Sequence, residues 1–254
     1  MKPTRTLLRG LEVMEVLSRA SEPVGPTRVA ELVGLDKATV GRLLHTLCEA
    51  GYARQNDSGA YQLTAKIMRL ASGATLQPGI RELAHGHLLA LRDVTSETVH
   101  LGIRDDDQVI YIDKIDGTHP VRLVSAIGQT MPLHTTALGK VALAWMAVDE
   151  REKLLARLPL TARTEFSIVD LDSLRAELDR TRARGYAIDD RENEDHARCV
   201  GAPIVAQDGE VVAMISVSGP SYRVTDADRV ADLGMKCRDT AAIISGEFGR
   251  TGTI

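Results

Sequence analysis

The chain has 254 residues, 44% of them apolar and 26% charged, enough to bury one moderate core or two small ones and too apolar to be disordered as a whole. Its formal charge of -4 is unevenly spread: residues 1–75 carry ten Lys/Arg against seven Asp/Glu and residues 76–254 carry 21 against 28, so only the N-terminal part suits a polyanion. No run approaches the roughly 18 apolar residues of a membrane span, MKPTRTLLRGLEVMEVLSRA has no signal-peptide core, three cysteines are too few for a disulfide framework, and one Trp, five Tyr and two Phe leave little for stacking platforms; a cytoplasmic protein with reduced thiols and no membrane partner is expected.

Leu7, Leu11 and Met14, widened by Leu8, Val16 and Leu17, predict a helix over about Thr6–Arg19, which SEPVGP breaks. A short helix follows Pro26 with Val29, Leu32 and Val33 apolar, and Gly34 supplies a turn. In LDKATVGRLLHTLCEAG, Asp36 is a candidate N-cap, Val40, Leu43, Leu44 and Leu47 form the apolar stripe, and Gly51 is the expected stop. Two short helices around a glycine turn are the layout of a helix-turn-helix. YARQNDSGAYQL then reads as two strands joined at Asn56–Gly59, a wing.

The outer face of the second helix of that pair offers Lys37, Thr39, Arg42 and His45. Short hydroxyl and imidazole groups approach base edges, and Arg and Lys reach guanine acceptors or phosphates. Arg54 and Gln55 stand on the wing. From the residues alone two readings stay open: DNA binding, or an enzyme or small-molecule-binding module whose winged helix pairs subunits.

TAKIMRLASG and residues 80–92 read as further helices. From Glu97 the period changes: Val99, Leu101 and Ile103 alternate, VIYIDKI follows an acidic turn, and VRLVSAI reads as a third strand. Helices are expected at 136–147, 149–157, 170–184 and 225–245, with strands at GYAID, CVGAPIV and VVAMISVSG. Strands and helices joined this way predict a mixed, largely antiparallel sheet with helices packed on it.

The chain contains no GxxxxGK[ST], GxGxxG after a strand, HExxH or GxSxG motif. Cys199 lies in an apolar run, where a small buried thiol is the ordinary expectation, so no catalytic residue is assigned. The seven histidines show no zinc-ligand spacing, and the acidic runs Asp105–Asp107 and Asp189–Asp195 read as solvated loops. No metal or other cofactor is expected.

RTLLRGLEVMEVL, TRVAELVGLDKATVGRLLHTLCEAGYARQNDSGAYQLTAKIMRL, PLHTTALGKVALA and GYAIDDRENEDHARCVGAPIV together resemble the IclR family of bacterial transcriptional regulators over nearly the whole chain. The resemblance implies a two-domain α+β protein, with a winged helix-turn-helix at 1–75, a linker helix at 76–94 that helps pair subunits, and a GAF/PAS-like effector domain at 95–254. It implies a homodimer or tetramer on double-stranded operator DNA, with Thr39 and Arg42 the strongest contacts, Thr27, Arg28, Lys37 and His45 on phosphates or base edges, and Arg54 on the wing. A small organic or aromatic acid is the implied effector, held by Leu123, Ala137, Leu138, Asp189, Ala197, Cys199, Ser216 and Ser218. His134 would support the site, and His196 departs from the small residue that the family usually carries at that position.

Overall fold

The apolar stripes of the first fifty positions fold into three helices, α1 (Arg5–Arg19), α2 (Pro26–Val33) and α3 (Lys37–Glu49). The structure is a computed structural model that describes residues 3–67, 69–70 and 79–251. The chain divides into two units, Met1–Leu76 and Gln77–Ile254. In the first, Gly34 takes the left-handed conformation, φ 64°, and its N–H bonds to Ala30 O to end α2. Asp36 then caps α3 by accepting the Thr39 N–H at 2.9 Å. Strands β1 (Ala53–Gln55) and β2 (Tyr61–Leu63) form the antiparallel wing, Arg54 opposite Gln62. Val13, Leu17, Val29, Val40, Leu44 and Ala53 make the core, and full burial of a leucine such as Leu44 is worth about 1.5–3 kcal/mol.

The expected apolar face of α1 is only half used. Val13 and Leu17 are buried, but Leu7, Leu8 and Leu11 are exposed, because α1 enters the core of the unit through Val13, Val16 and Leu17 and those three leucines pack on none of its members. The helix expected over TAKIMRLASG falls partly outside the described residues.

The second unit is built on a six-stranded sheet in the order β5-β4-β3-β8-β7-β6, formed by β3 (Thr98–Asp105), β4 (Gln108–Ile115), β5 (Thr130–Pro132), β6 (Ala187–Asp190), β7 (Ala197–Val205) and β8 (Val211–Pro220). Every pairing among the described residues is antiparallel, so the sheet is more uniform than the mixed one expected. Val99, Leu101, Val200, Ala202, Ile204, Ala213, Ile215 and Val217 point to one face and pack on α4 (Ile80–Thr95) and α8 (Ala227–Thr251). Val109, Tyr111 and Met214 face the other way, toward α5 (Ala137–Trp145), α6 (Val148–Leu155) and α7 (Leu171–Arg184). Burial on both faces explains why β8 is buried along nearly its whole length instead of alternating with solvent.

VRLVSAI forms no strand. Two of its backbone carbonyls go to side chains instead of a ladder, Arg223 donating to Val121 O at 2.9 Å and Lys114 Nζ to Ser125 O at 2.8 Å, and Ala126 O accepts the Gln129 N–H in a turn at 3.1 Å. The edge position beside β4 is taken by β5, which pairs Gln108–Ile110 with Thr130–Pro132.

Candidate functional site

One cavity opens on the α5 face of the sheet, about 510 Å³ of space including its mouth. Its floor follows from sheet register. Asp189 pairs with Cys199, Cys199 with Ser218, and Ser216 with His100; paired residues share a face, and Ser216 and Ser218, two apart, share it too. A bulge between Leu101 and Gly102 brings Tyr111 to the same side, where its ring stacks on His100 at 4.4 Å between centroids. The wall opposite the floor is the start of α5, and the segment around Leu123, Val124 and Ser125 closes the rim.

The start of α5 sits close to the sheet because glycines lie beneath it. A Cβ on Gly201 would lie 3.1 Å from Ala137 C, and one on Gly102 would lie 2.9 Å from Leu138 Cδ1. Thr136 caps the helix, accepting the Gly139 N–H at 3.1 Å while donating its hydroxyl to Pro132 O at 2.6 Å. Among the described residues no acceptor takes the N–H groups of Ala137 and Leu138, the two residues of α5 that line the cavity. Unpaired amides at the positive end of a helix attract an anion.

Of the other polar groups on the lining, His100, Asp189, Asn193, Ser216 and Ser218 are buried. His100 is held as the neutral ring, its pKa pushed down to about 3 by burial and then by Lys114; its Nε2 meets Ser125 Oγ at 2.8 Å and its Nδ1 lies 3.4 Å from Ser216 Oγ. Asp189 Oδ1 accepts the N–H of Glu192 at 2.8 Å and of Asn193 at 3.3 Å. Burial nevertheless raises its carboxyl to about 7, Lys140 pulling it down and Glu192 pushing it up. Burial drives the Cys199 thiol well above its ordinary range, with Asp189 adding to the shift, so it is a poor nucleophile. The lining residues include Asp189 and Glu194 but no lysine or arginine.

All eight residues assigned to the effector from the sequence, Leu123, Ala137, Leu138, Asp189, Ala197, Cys199, Ser216 and Ser218, line this one cavity. His196 does not. Its side chain is 73% exposed and meets Glu194 at 3.5 Å. His134 is buried against Thr161 O at 3.0 Å and lines a separate hollow.

The acidic run at Asp189–Asp195 is not the solvated loop expected: Asp189, Glu192 and Asn193 are buried. The reason is Lys140 of α5, fully buried and ion-paired with Glu192 Oε1. Burial still raises the Glu192 carboxyl, Lys140 opposing it, and no donor among the described residues reaches Glu192 Oε2. Thr135 Oγ1 donates to Asn193 Oδ1 at 3.2 Å, fastening the same loop to the start of α5. The sequence reading missed this pair, along with His100, Tyr111, Ser125, Gln129 and Asn193 on the cavity wall. One signal was available: Lys140 is the only charge in the apolar run TALGKVALA.

In the winged unit, Thr27 and Arg28 are exposed in the first turn of α2, and Lys37, Arg42 and His45 are exposed along α3 with Thr39 half-buried. Arg42 Nη2 donates to Thr39 Oγ1 at 3.3 Å, which holds the guanidinium over its own helix. Arg28 is ion-paired with Glu31 at 3.1 Å. Arg54 is exposed on β1. The seven thus lie on α2, α3 and the wing of a single unit.

Comparison with known proteins places both units. Residues 6–57 match the IclR helix-turn-helix domain, and residues 73–246 match the domain described as bacterial transcriptional regulator IclR C-terminal. The chain belongs to the IclR family of bacterial transcriptional regulators. It is 33% identical to the HTH-type transcriptional regulator KdgR of Escherichia coli (strain K12) over 245 residues, 96% of this chain and 92% of that protein. The crystal structure of the Thermotoga maritima IclR superposes with TM-score 0.79 at 30% identity, covering 96% of this chain and 98% of that one. An IclR homolog from Microbacterium hydrocarbonoxydans, solved in complex with 4-hydroxybenzoate, shares the fold with TM-score 0.81 at 20% identity over 97% of this chain and 99% of that one. An IclR-family chain is a DNA-binding regulator of transcription.

Proposed function

We propose that this regulator reads operator DNA with α3 and responds to a small organic or aromatic acid held in the cavity beneath α5. The convergence on one cavity of the eight residues that the family resemblance assigns, with Ser216, Ser218 and the neutral His100 on its floor, carries this reading. The ligand carboxylate would meet the free N–H groups of Ala137 and Leu138, which need no lysine to favour an anion. Ser216, Ser218 and the neutral His100 would bond its remaining oxygens, and Asp189, which titrates near 7, would offer a protonated carboxyl as donor. Leu123, Ala197 and Cys199 supply the apolar and thiol contacts. The sheet with helices on both faces acts in this reading as a GAF/PAS-like sensor.

On the DNA side, Arg42 and Thr39 would enter the major groove, with Thr27, Arg28, Lys37 and His45 on phosphates or base edges and Arg54 acting from the wing. Residues 1–75 would read, 76–94 link, and 95–254 sense. Pairing into a homodimer or tetramer would set two reading helices on related half-sites, and the uncovered Leu7, Leu8 and Leu11 of α1 supply apolar surface for it. Because a ligand shifts an equilibrium only through differential affinity for its states, the acid would act by favouring one arrangement of the reading helices.

The test is fluorescence anisotropy on a labelled duplex enriched from a randomised pool, at fixed salt with nonspecific competitor. Arg42→Ala is expected to weaken binding by about 1–3 kcal/mol with an unchanged circular dichroism spectrum. Unchanged affinity and sequence preference would remove α3 from the interface.

A further inference from the structure

Gly41 stands in the middle of α3, and nothing inside the winged unit calls for a glycine there. Its backbone is ordinary helix, with φ outside the left-handed region. A Cβ built on it meets no atom within 4 Å, whereas one on Gly10, the other helical glycine of α1–α3, would touch Leu43 Cδ2 at 3.9 Å. Glycine in a helix interior is less stable than alanine, because it loses more backbone freedom on folding and adds no packing. The position therefore carries a folding disadvantage that neither conformation nor core packing offsets.

Its neighbours on the helix surface show what lies outside. Lys37, Gly41 and His45 follow one another at four-residue spacing and so stack along one flank. Ala38 and Arg42 form the adjacent row, and Lys37, Ala38, Arg42 and His45 are all exposed. Two cationic or polar reaching groups thus bracket a gap one side chain wide, with bare backbone at its centre and the Arg42 guanidinium beside it, tied to Thr39.

We infer that Gly41 is a specificity-determining position for DNA: its missing side chain lets the backbone of α3 seat against base edges in the major groove while Lys37 and His45 reach past it on either side. The inference rests on the reading of α3 as the DNA-reading helix and deepens it. A helix fits the major groove with little clearance, so a methyl at the point of closest approach would lift the helix and lengthen every flanking contact. Lys37, on its longer stem, would keep its phosphate contact, as would Arg28 on α2. The loss should then fall on the preferred sequence and spare nonspecific binding, which is governed by phosphate neutralisation.

The experiment uses the full chain as wild type, Gly41→Ala, Gly41→Leu and Arg42→Ala. A duplex enriched from a randomised pool by the wild type and a scrambled duplex of equal length are titrated by anisotropy, with thermal melting of each protein in parallel. For Gly41→Ala the melting temperature is expected at or above that of the wild type, with affinity for the enriched duplex at least about tenfold weaker, in the range of a mismatched base pair, and affinity for the scrambled duplex at low salt unchanged. Gly41→Leu should lose more. The inference is overturned if Gly41→Ala binds the enriched duplex within about twofold of the wild type, if its melting temperature falls, or if both duplexes weaken together. Should the wild type enrich no duplex at all, the DNA-reading role of α3 fails and this inference with it. An enriched duplex that Arg42→Ala loses and Gly41→Ala keeps would overturn the inference alone.

Discussion

The two units place their functional groups in opposite ways. In the winged unit, five of the seven proposed DNA contacts, Thr27 and Arg28 at the start of α2 and Lys37, Arg42 and His45 on α3, are exposed side chains on a single helix–turn–helix stretch of fewer than twenty residues, and the buried residues beneath them are purely apolar. In the effector unit, the cavity draws on β3, β4, β5, the rim at 123–125, α5, β6 and the loop after it, β7 and β8, and His100, Asp189, Asn193, Ser216 and Ser218 within it are buried. A surface that reads a polyanion needs charges in water, where long-range attraction steers the encounter. A cavity that selects one small molecule needs polar groups fixed in advance, and burial fixes them at the cost of perturbing their protonation.

The contrast is sharpest at the ion pairs. Lys140 and Glu192 are paired out of water, and the Arg28–Glu31 pair of α2 lies in it. Lys140→Met should destabilise the effector unit by about 3–5 kcal/mol, because it strands the Glu192 carboxylate, and the double variant with Glu192→Gln should recover much of that loss. Urea denaturation followed by circular dichroism measures both. Arg28→Ala should leave stability almost unchanged. An equal, small effect from both single variants would erase the distinction drawn between the units.

Asp189 gives the next largest effect and a pH signature. Its carboxyl titrates near 7 in the folded chain against 3.8 for the free side chain. Between pH 4 and 7 the folded state holds a proton that the unfolded state has released, so this group lowers stability as pH rises through that window and adds no further change above it. Asn keeps an acceptor for the Glu192 and Asn193 N–H groups and does not titrate. Asp189→Asn is therefore expected to gain stability relative to the wild type from pH 5 to pH 8, by on the order of 3 kcal/mol. Parallel pH profiles of the two denaturation midpoints would contradict the burial assigned to this carboxyl.

Sequence pattern reached the winged unit almost completely because its elements are short, locally capped and separated by glycines: Asp36 caps α3, Gly34 ends α2, and each prediction fell within a residue or two of the observed bounds. The part of it that pattern misjudged was the apolar start of α1, since spacing identifies a face but not what covers it. In the effector unit the elements were also legible, except at VRLVSAI, where alternating apolar residues form a cavity rim instead of a strand. The effector residues came from family resemblance, and Ser216 and Ser218 alone were joined by spacing. His100 and Tyr111 were out of reach because their convergence depends on strand register and on the Leu101/Gly102 bulge, and Asn193 because its place depends on a loop bond to Thr135, nearly sixty residues earlier, none of which a local pattern records. The acidic run at 189–195 was misread for a related reason: its burial depends on Lys140, some fifty residues earlier in the chain.

The central claim is that occupancy of the cavity changes DNA binding. The direct measurement is the affinity of the wild type and of Ser218→Leu, which fills the cavity floor, for the enriched duplex across a panel of small aliphatic and aromatic carboxylic acids, with thermal melting to show that the variant is folded. At least one acid is expected to shift the wild-type affinity by about fivefold or more, the lower range of allosteric coupling, and Ser218→Leu to abolish the shift while still binding DNA. A shift of equal size in the variant, or none from any acid in the wild type, would contradict that claim.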